Sequence, residues 1–217
     1  MPLLTHLNAL EGAEWLRTSL TTFGTSVASI LPGHFPAYAR VYHPFESGGD
    51  SAIEASSWHA LAAHAGWDLN DPAAAEDFAR HGVSNAQART GTLSPSIIDA
   101  LVEHLRPATT TPAQCYFAVW EGFAGSVVPP TLTPKLELPN RAYHVFIGPV
   151  EAALSSFDAL AYSHRSASLW WPADQAWCVA TEVDFAWTYV GGLRVYIDAL
   201  LADPRLDAVE TSARARW

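Results

Sequence analysis

Glu182 and Asp184, two residues apart in the stretch WCVATEVD (177–184), are the pair in this chain best suited to acid–base chemistry. On a strand they share a face with Cys178 and Ala180, while Trp177, Val179, Thr181 and Val183 point the other way. A rise of roughly 3.3 Å per residue sets their Cα atoms about 6 to 7 Å apart. Two carboxylates so placed can divide into acid and base when their surroundings differ, or can hold a cationic ligand. The structural alternative is that they leave the core at the strand's end and pair with Arg40, Arg141 or Arg194, the ordinary fate of such acids.

Aromatic residues surround this pair. The chain carries nine tryptophans in 217 residues, and the stretch from 170 to 192 is dense in them. Most should be core, because each buries a large area. The doublet Trp170-Trp171 differs: consecutive strand residues face opposite ways, so one lies off the main core unless both faces are covered. Trp187 and Tyr189 share one face of the next strand. The candidate binding set is therefore Glu182, Asp184, Trp171 and Trp187, completed by cationic or titratable residues from Arg40, His43, Arg141 and His144. Such a wall suits a small ligand or the anchoring of a protein partner. No residue of the set is assigned a catalytic role.

Other chemistries lack their signatures. His59 and His64 are five apart, about 140° around a helix axis, and cannot share a ligand face. His34 and His43 could converge across a turn, but without a compact ligand set, so no metal and no cofactor are expected. GFAGS (122–126) lacks the central residue of a nucleophile elbow. Gly191-Gly192 is a lone doublet; it reads as a tight turn into the last helix, with an anion site at that helix start as the less favoured use. Cys115 and Cys178 lie in apolar stretches and read as buried thiols.

The elements that must position these residues follow from periodicity. Residues 9–22 form an amphipathic pattern through Leu10, Ala13, Leu16 and Leu20. A short strand spans about 37–43. A helix starts after Ser57 and stops at Gly66, a second starts at Asp71-Pro72, and a third carries Ile97, Ile98, Leu101, Val102 and Leu105. QCYFAVWEGF and RAYHVFIGPV are strands, separated by a Pro-rich loop or edge segment. A short helix covers about 150–158, and LRVYIDALLADP is helical, with Leu193, Ile197, Leu200 and Leu201 inward. Helices first and strands mostly later predict an α+β fold: one domain over residues 1–210, N-terminal helices, a mostly antiparallel sheet and a C-terminal helix. Residues 211–217 read as a frayed tail.

Charge narrows the partners. Twenty-two acids against twelve bases give a formal charge of −10. With no basic cluster, a nucleic-acid partner is not expected. No run of about 18 apolar residues occurs, so no membrane span is expected, and the start lacks a secretory pattern, which makes the cytoplasm the expected location. LPGHFPAYARVYHPF, CYFAVWEGF, LELPNRAYHVFIGP and WWPADQAWCVATEVDFAWTYVGG together resemble a family of actinobacterial proteins of unknown function, over residues 31–44 and 113–204. That resemblance implies no activity. In size, acidity and aromatic content the chain is also similar to bacterial toxin-immunity proteins, which implies a basic protein partner. The expected function is that of an acidic soluble interaction protein, leaning away from an enzyme. The alternative is a small-molecule-binding protein or an enzyme using the paired carboxylates in an aromatic cleft.

Overall fold

The computed structural model describes residues 4–46, 57–69, 71 and 87–217. Eleven strands are present among them: β1 (Thr5–His6), β2 (Ala37–Tyr42), β3 (Phe45–Glu46), β4 (Gln87–Ala88), β5 (Cys115–Trp120), β6 (Lys135–Leu138), β7 (Arg141–Gly148), β8 (Leu169–Pro172), β9 (Cys178–Ala180), β10 (Trp187–Gly192) and β11 (Ala208–Thr211). Nine of them form one antiparallel sheet in the order β1-β7-β5-β8-β9-β10-β2-β11, with β6 also paired to β7. β3 and β4 make a separate two-stranded ribbon. The α-helices are α1 (Glu14–Ser19), α2 (Trp58–Ala65), α3 (Pro95–Leu105) and α4 (Arg194–Leu201). The fold is α+β, with helices ahead of most strands and a C-terminal helix behind them.

Helices cover both faces of the sheet, and this decides much about the expected site. On one face, Phe117, Trp170, Trp177, Val179 and Val190 pack against α3 and α4. On the other, Tyr38, Tyr42, Trp171, Cys178 and Tyr189 pack against α1 and α2. α3 buries all five residues of its predicted stripe, and the Ser94 hydroxyl caps its first turn by accepting from the Ile97 N–H. Likewise Ser57 caps α2, and Gly66 ends it in the left-handed region at φ 71°. The helix expected from Asp71-Pro72 lies outside the described residues.

Four expectations need correction. The first helix is shorter: a 3₁₀ turn at Glu11–Ala13 leads into α1, which ends at Ser19. The helix near 150–158 is a 3₁₀ segment, Val150–Leu154. In α4 only Ile197 and Leu200 are buried; Leu193 is its exposed N-cap. The C-terminal residues do not fray: beyond β11, Ala213 and Ala215 carbonyls accept from the Ala28 and Val27 N–H groups, and the Trp217 N–H donates to Thr25 O. No helix among the described residues is long and apolar enough to cross a membrane.

Candidate functional site

The strand predicted over 177–184 stops at Ala180, and this reorganises the carboxylate pair. Thr181 to Phe185 turn, with the Phe185 N–H donating to Glu182 O, and β10 begins at Trp187. Alternation still holds for β9 itself, since Trp177 and Val179 join one core and Cys178 and Ala180 the other. Beyond it the two acids part company. Glu182 is 5% exposed, whereas the Asp184 side chain is 79% exposed. Neither face of the strand is open to solvent.

Arg141, the first residue of β7, reaches both acids. Its Nη2 donates to Glu182 Oε1 and lies 3.4 Å from Asp184 Oδ2. The guanidinium is held between the rings of Phe23 and Trp120, at 5.5 and 5.4 Å from their centroids. Burial works against the Arg141 charge, but the Glu182 carboxylate outweighs it and raises the guanidinium above its ordinary value. Tyr143, two residues along the same face, is pushed up by burial and further by Glu182. Beneath this clamp lies a cavity of about 20 Å³ lined by Leu20, Ser29, Tyr143, Leu169, Thr181 and Glu182 among others. It has room for a single water-sized group.

On its outer side Arg141 borders a shallow, open depression of about 390 Å³, lined by Trp120, Glu121, Gly122, Glu137, Leu138, Asn140 and Ala142. Trp120 is half-buried and meets Phe123 edge to face at 5.2 Å. Glu121 and Glu137 are exposed, and Glu121 accepts from Lys135 Nζ at 2.7 Å. Glu182 and Asp184, the two acids on Arg141, do not line the depression.

The remaining predicted residues lie in four other places. Trp171 is fully buried, stacked on Tyr116 at 5.5 Å, and its indole N–H donates to Gly12 O at 3.1 Å. It belongs to the core, as does Trp170 on the opposite face, because both faces are covered. His144 is buried on the opposite side of β7 from Arg141, as period two requires, near His6 at 6.3 Å between ring centroids. Burial first, then the Lys135 charge, lowers its pKa. His43 is buried beyond the end of β2, where its Nδ1 lies 2.6 Å from Arg89 O and its Nε2 2.9 Å from Thr188 Oγ1. Arg40 and Trp187 meet each other, with the guanidinium 5.2 Å from the indole centroid. The predicted set thus divides: Glu182, Asp184 and Arg141 form one cluster, and Arg40 and Trp187 another.

The His43 surroundings fix a direction of donation. A carbonyl can only accept, so Nδ1 carries the proton toward Arg89 O. Nε2 is then the acceptor of the Thr188 hydroxyl, and Thr188 Oγ1 accepts from Thr181 Oγ1 at 2.7 Å. Burial lowers the His43 pKa to about 4, with the Arg89 carbonyl opposing, so the ring is neutral near pH 7. The sequence offered no signal for this chain of hydroxyls beyond the facing of Thr181, nor for Trp120, Glu121 and Glu137, which gather only when β5, β6 and β7 pair. Both cysteines are free and buried, and burial lifts Cys115 to about 12. Among the described residues no group of three or more His, Cys, Asp or Glu side chains is arranged to hold a metal ion.

Comparison of the chain with protein-family models, with curated proteins and with solved structures gives no match. The site's own geometry is the ground for a functional reading.

Proposed function

We propose that this chain is an acidic binding protein that takes a basic protein partner on the face formed by Trp120, Glu121 and Glu137, in the manner of an immunity protein covering a basic surface. The observation that carries this reading is the form of that face. It is shallow and open, its carboxylates are exposed around a half-buried tryptophan, and the depression has no enclosed floor. Aromatic anchors with an acidic rim suit a broad cationic surface, and steer its approach. The alternative, an enzyme or small-ligand site at the paired carboxylates, has less support. Glu182 lies under Arg141 with about 20 Å³ beside it, far below the size of a substrate site.

The test is fluorescence anisotropy with a labelled Lys- and Arg-rich peptide against the Glu121→Lys/Glu137→Lys variant. A control variant, Glu14→Lys/Asp198→Lys, changes net charge equally at exposed positions elsewhere. Charge reversal in the depression should weaken binding about tenfold or more, and the control much less. Equal losses in the two variants would reduce the effect to net charge and reject this face.

A further inference from the structure

Arg40 is 1% exposed, yet among the described residues no carboxylate forms an ion pair with it. Its contacts are long. Nη1 donates to Tyr42 Oη at 3.4 Å and Leu69 O at 3.5 Å, and Nη2 to Arg216 O at 3.3 Å. The flat faces of Trp187 and Tyr189 flank it, at 5.2 and 5.6 Å from its central carbon. Three buried polar atoms in this cluster, Arg40 Nε, Trp187 Nε1 and Tyr189 Oη, have no well-aligned hydrogen-bond partner among the described residues. The Trp187 and Arg40 side chains both approach the Tyr189 hydroxyl and oppose the rise that burial gives its pKa. A buried charge without a counter-charge is costly unless something compensates it. Polar groups left to such poorly aligned contacts are unusual, because buried polar atoms are nearly always well paired.

The open edge of the guanidinium has a defined shape. Nε and Nη2 lie on the same side of the group, and together they form the fork that takes a planar oxyanion side-on. Among the described residues Nε has no well-aligned partner, and Nη2 donates to the Arg216 carbonyl at 3.3 Å. That carbonyl belongs to the segment after β11, which lies over the site. Backbone hydrogen bonds to residues 25–28 hold this segment, and so does Trp217, whose ring packs on Phe185 at 4.9 Å and whose indole N–H donates to Ser29 Oγ at 3.3 Å. Phe185 in turn packs on Trp187 at 4.8 Å.

We propose that Arg40, with Trp187 and Tyr189, is a receptor for a small oxyanion, a carboxylate or a phosphate, and that residues 212–217 are its cover. The anion replaces the Arg216 carbonyl on Nη2 and adds a second bond at Nε. The Tyr189 hydroxyl and Trp187 N–H supply further donors, and the two rings flank the ligand as they flank the guanidinium. Entry requires the terminal segment to swing aside, so apparent affinity is reduced by the fraction of time it is closed. This inference is independent of the acidic face, since Arg40 and the Trp120 depression share no residue.

Inorganic phosphate and succinate are titrated separately into the full chain at constant ionic strength with chloride, following tryptophan emission and melting temperature. A saturable change is expected with one or both, and the anion that saturates at the lower concentration identifies the class. Trp217→Ala, which removes the side-chain contacts of the cover and leaves its backbone bonds, should loosen it and tighten binding about threefold or more. Arg40→Met should abolish the response. Arg40→Lys, which keeps the charge and loses the fork, should weaken it about tenfold or more and serves if the Met variant does not fold. No saturable response in the wild type or in Trp217→Ala overturns the proposal. So does a response that survives in both Arg40 variants.

Discussion

His43 Nε2 accepts a hydrogen bond from the Thr188 hydroxyl at 2.9 Å, a side-chain contact from the end of β2 to β10 that uses the neutral ring. Protonating Nε2 would turn it from an acceptor into a donor and reverse the hydroxyls of Thr188 and Thr181. Burial is what opposes the imidazolium here.

A definite pH dependence follows. The folded pKa of about 4 lies below the ordinary 6.5, so the unfolded chain binds more protons between those values. The contribution to stability is full above about pH 6.5 and is lost as pH falls toward 4, by something on the order of 3 kcal/mol. His6, His144 and His164 are lowered as well, by burial first, and act in the same direction. Urea unfolding of His43→Asn should show a shallower rise of stability from pH 4 to 6.5 than the wild type. An unchanged slope would assign the effect to the other three histidines.

The two acids that look equivalent in sequence should separate in a stability measurement. Glu182 is buried under Arg141, whereas Asp184 is 79% exposed at 3.4 Å. Arg141→Met leaves the Glu182 carboxylate buried and uncompensated, at an expected cost of about 3 kcal/mol. The Arg141→Met/Glu182→Leu double variant should recover most of that, because an apolar pair needs no compensation. Asp184→Ala should stay within about 0.5 kcal/mol of the wild type. Denaturation midpoints of the three variants decide the matter. Equal losses in Arg141→Met and Asp184→Ala, or no recovery in the double variant, would contradict the assignment of only Glu182 to the buried pair.

What could be read from the sequence was local. The stripe of α3 and its Ser94 cap, the Ser57 and Gly66 limits of α2, and the alternation within β9 all follow from spacing along one element. The misplaced residues failed for non-local reasons. Trp171 reads as a wall residue only if one face of the sheet is bare, and α1 and α2 cover that face. His144 is the exception: period two along β7, itself a local pattern, sends it to the side opposite Arg141. Arg40 meets Tyr189 because β2 pairs with β10 at that register across some 150 residues of chain, which no local pattern reports. Trp120, Glu121 and Glu137 come together by the same kind of pairing.

Gly191-Gly192 shows the same limit and yields a sharp test. The doublet reads as a turn, but both residues complete β10, opposite Tyr38 and Ala37 of β2. Gly191 is required there by close approach. A Cβ at this position would lie 2.6 Å from Phe35 Cδ2 and 3.0 Å from Leu31 Cδ2, both in the core beneath α1. At Gly192 the nearest atom would be Trp177 Cβ at 3.4 Å, an ordinary contact. Gly191→Ala should therefore destabilise by about 1 to 3 kcal/mol through overpacking, lowering the melting temperature by roughly 2 to 4 °C per kcal/mol. Gly192→Ala should change stability by less than about 1 kcal/mol in either direction. The reverse order would mean that Phe35 and Leu31 yield to the added methyl and that the doublet is retained for another reason.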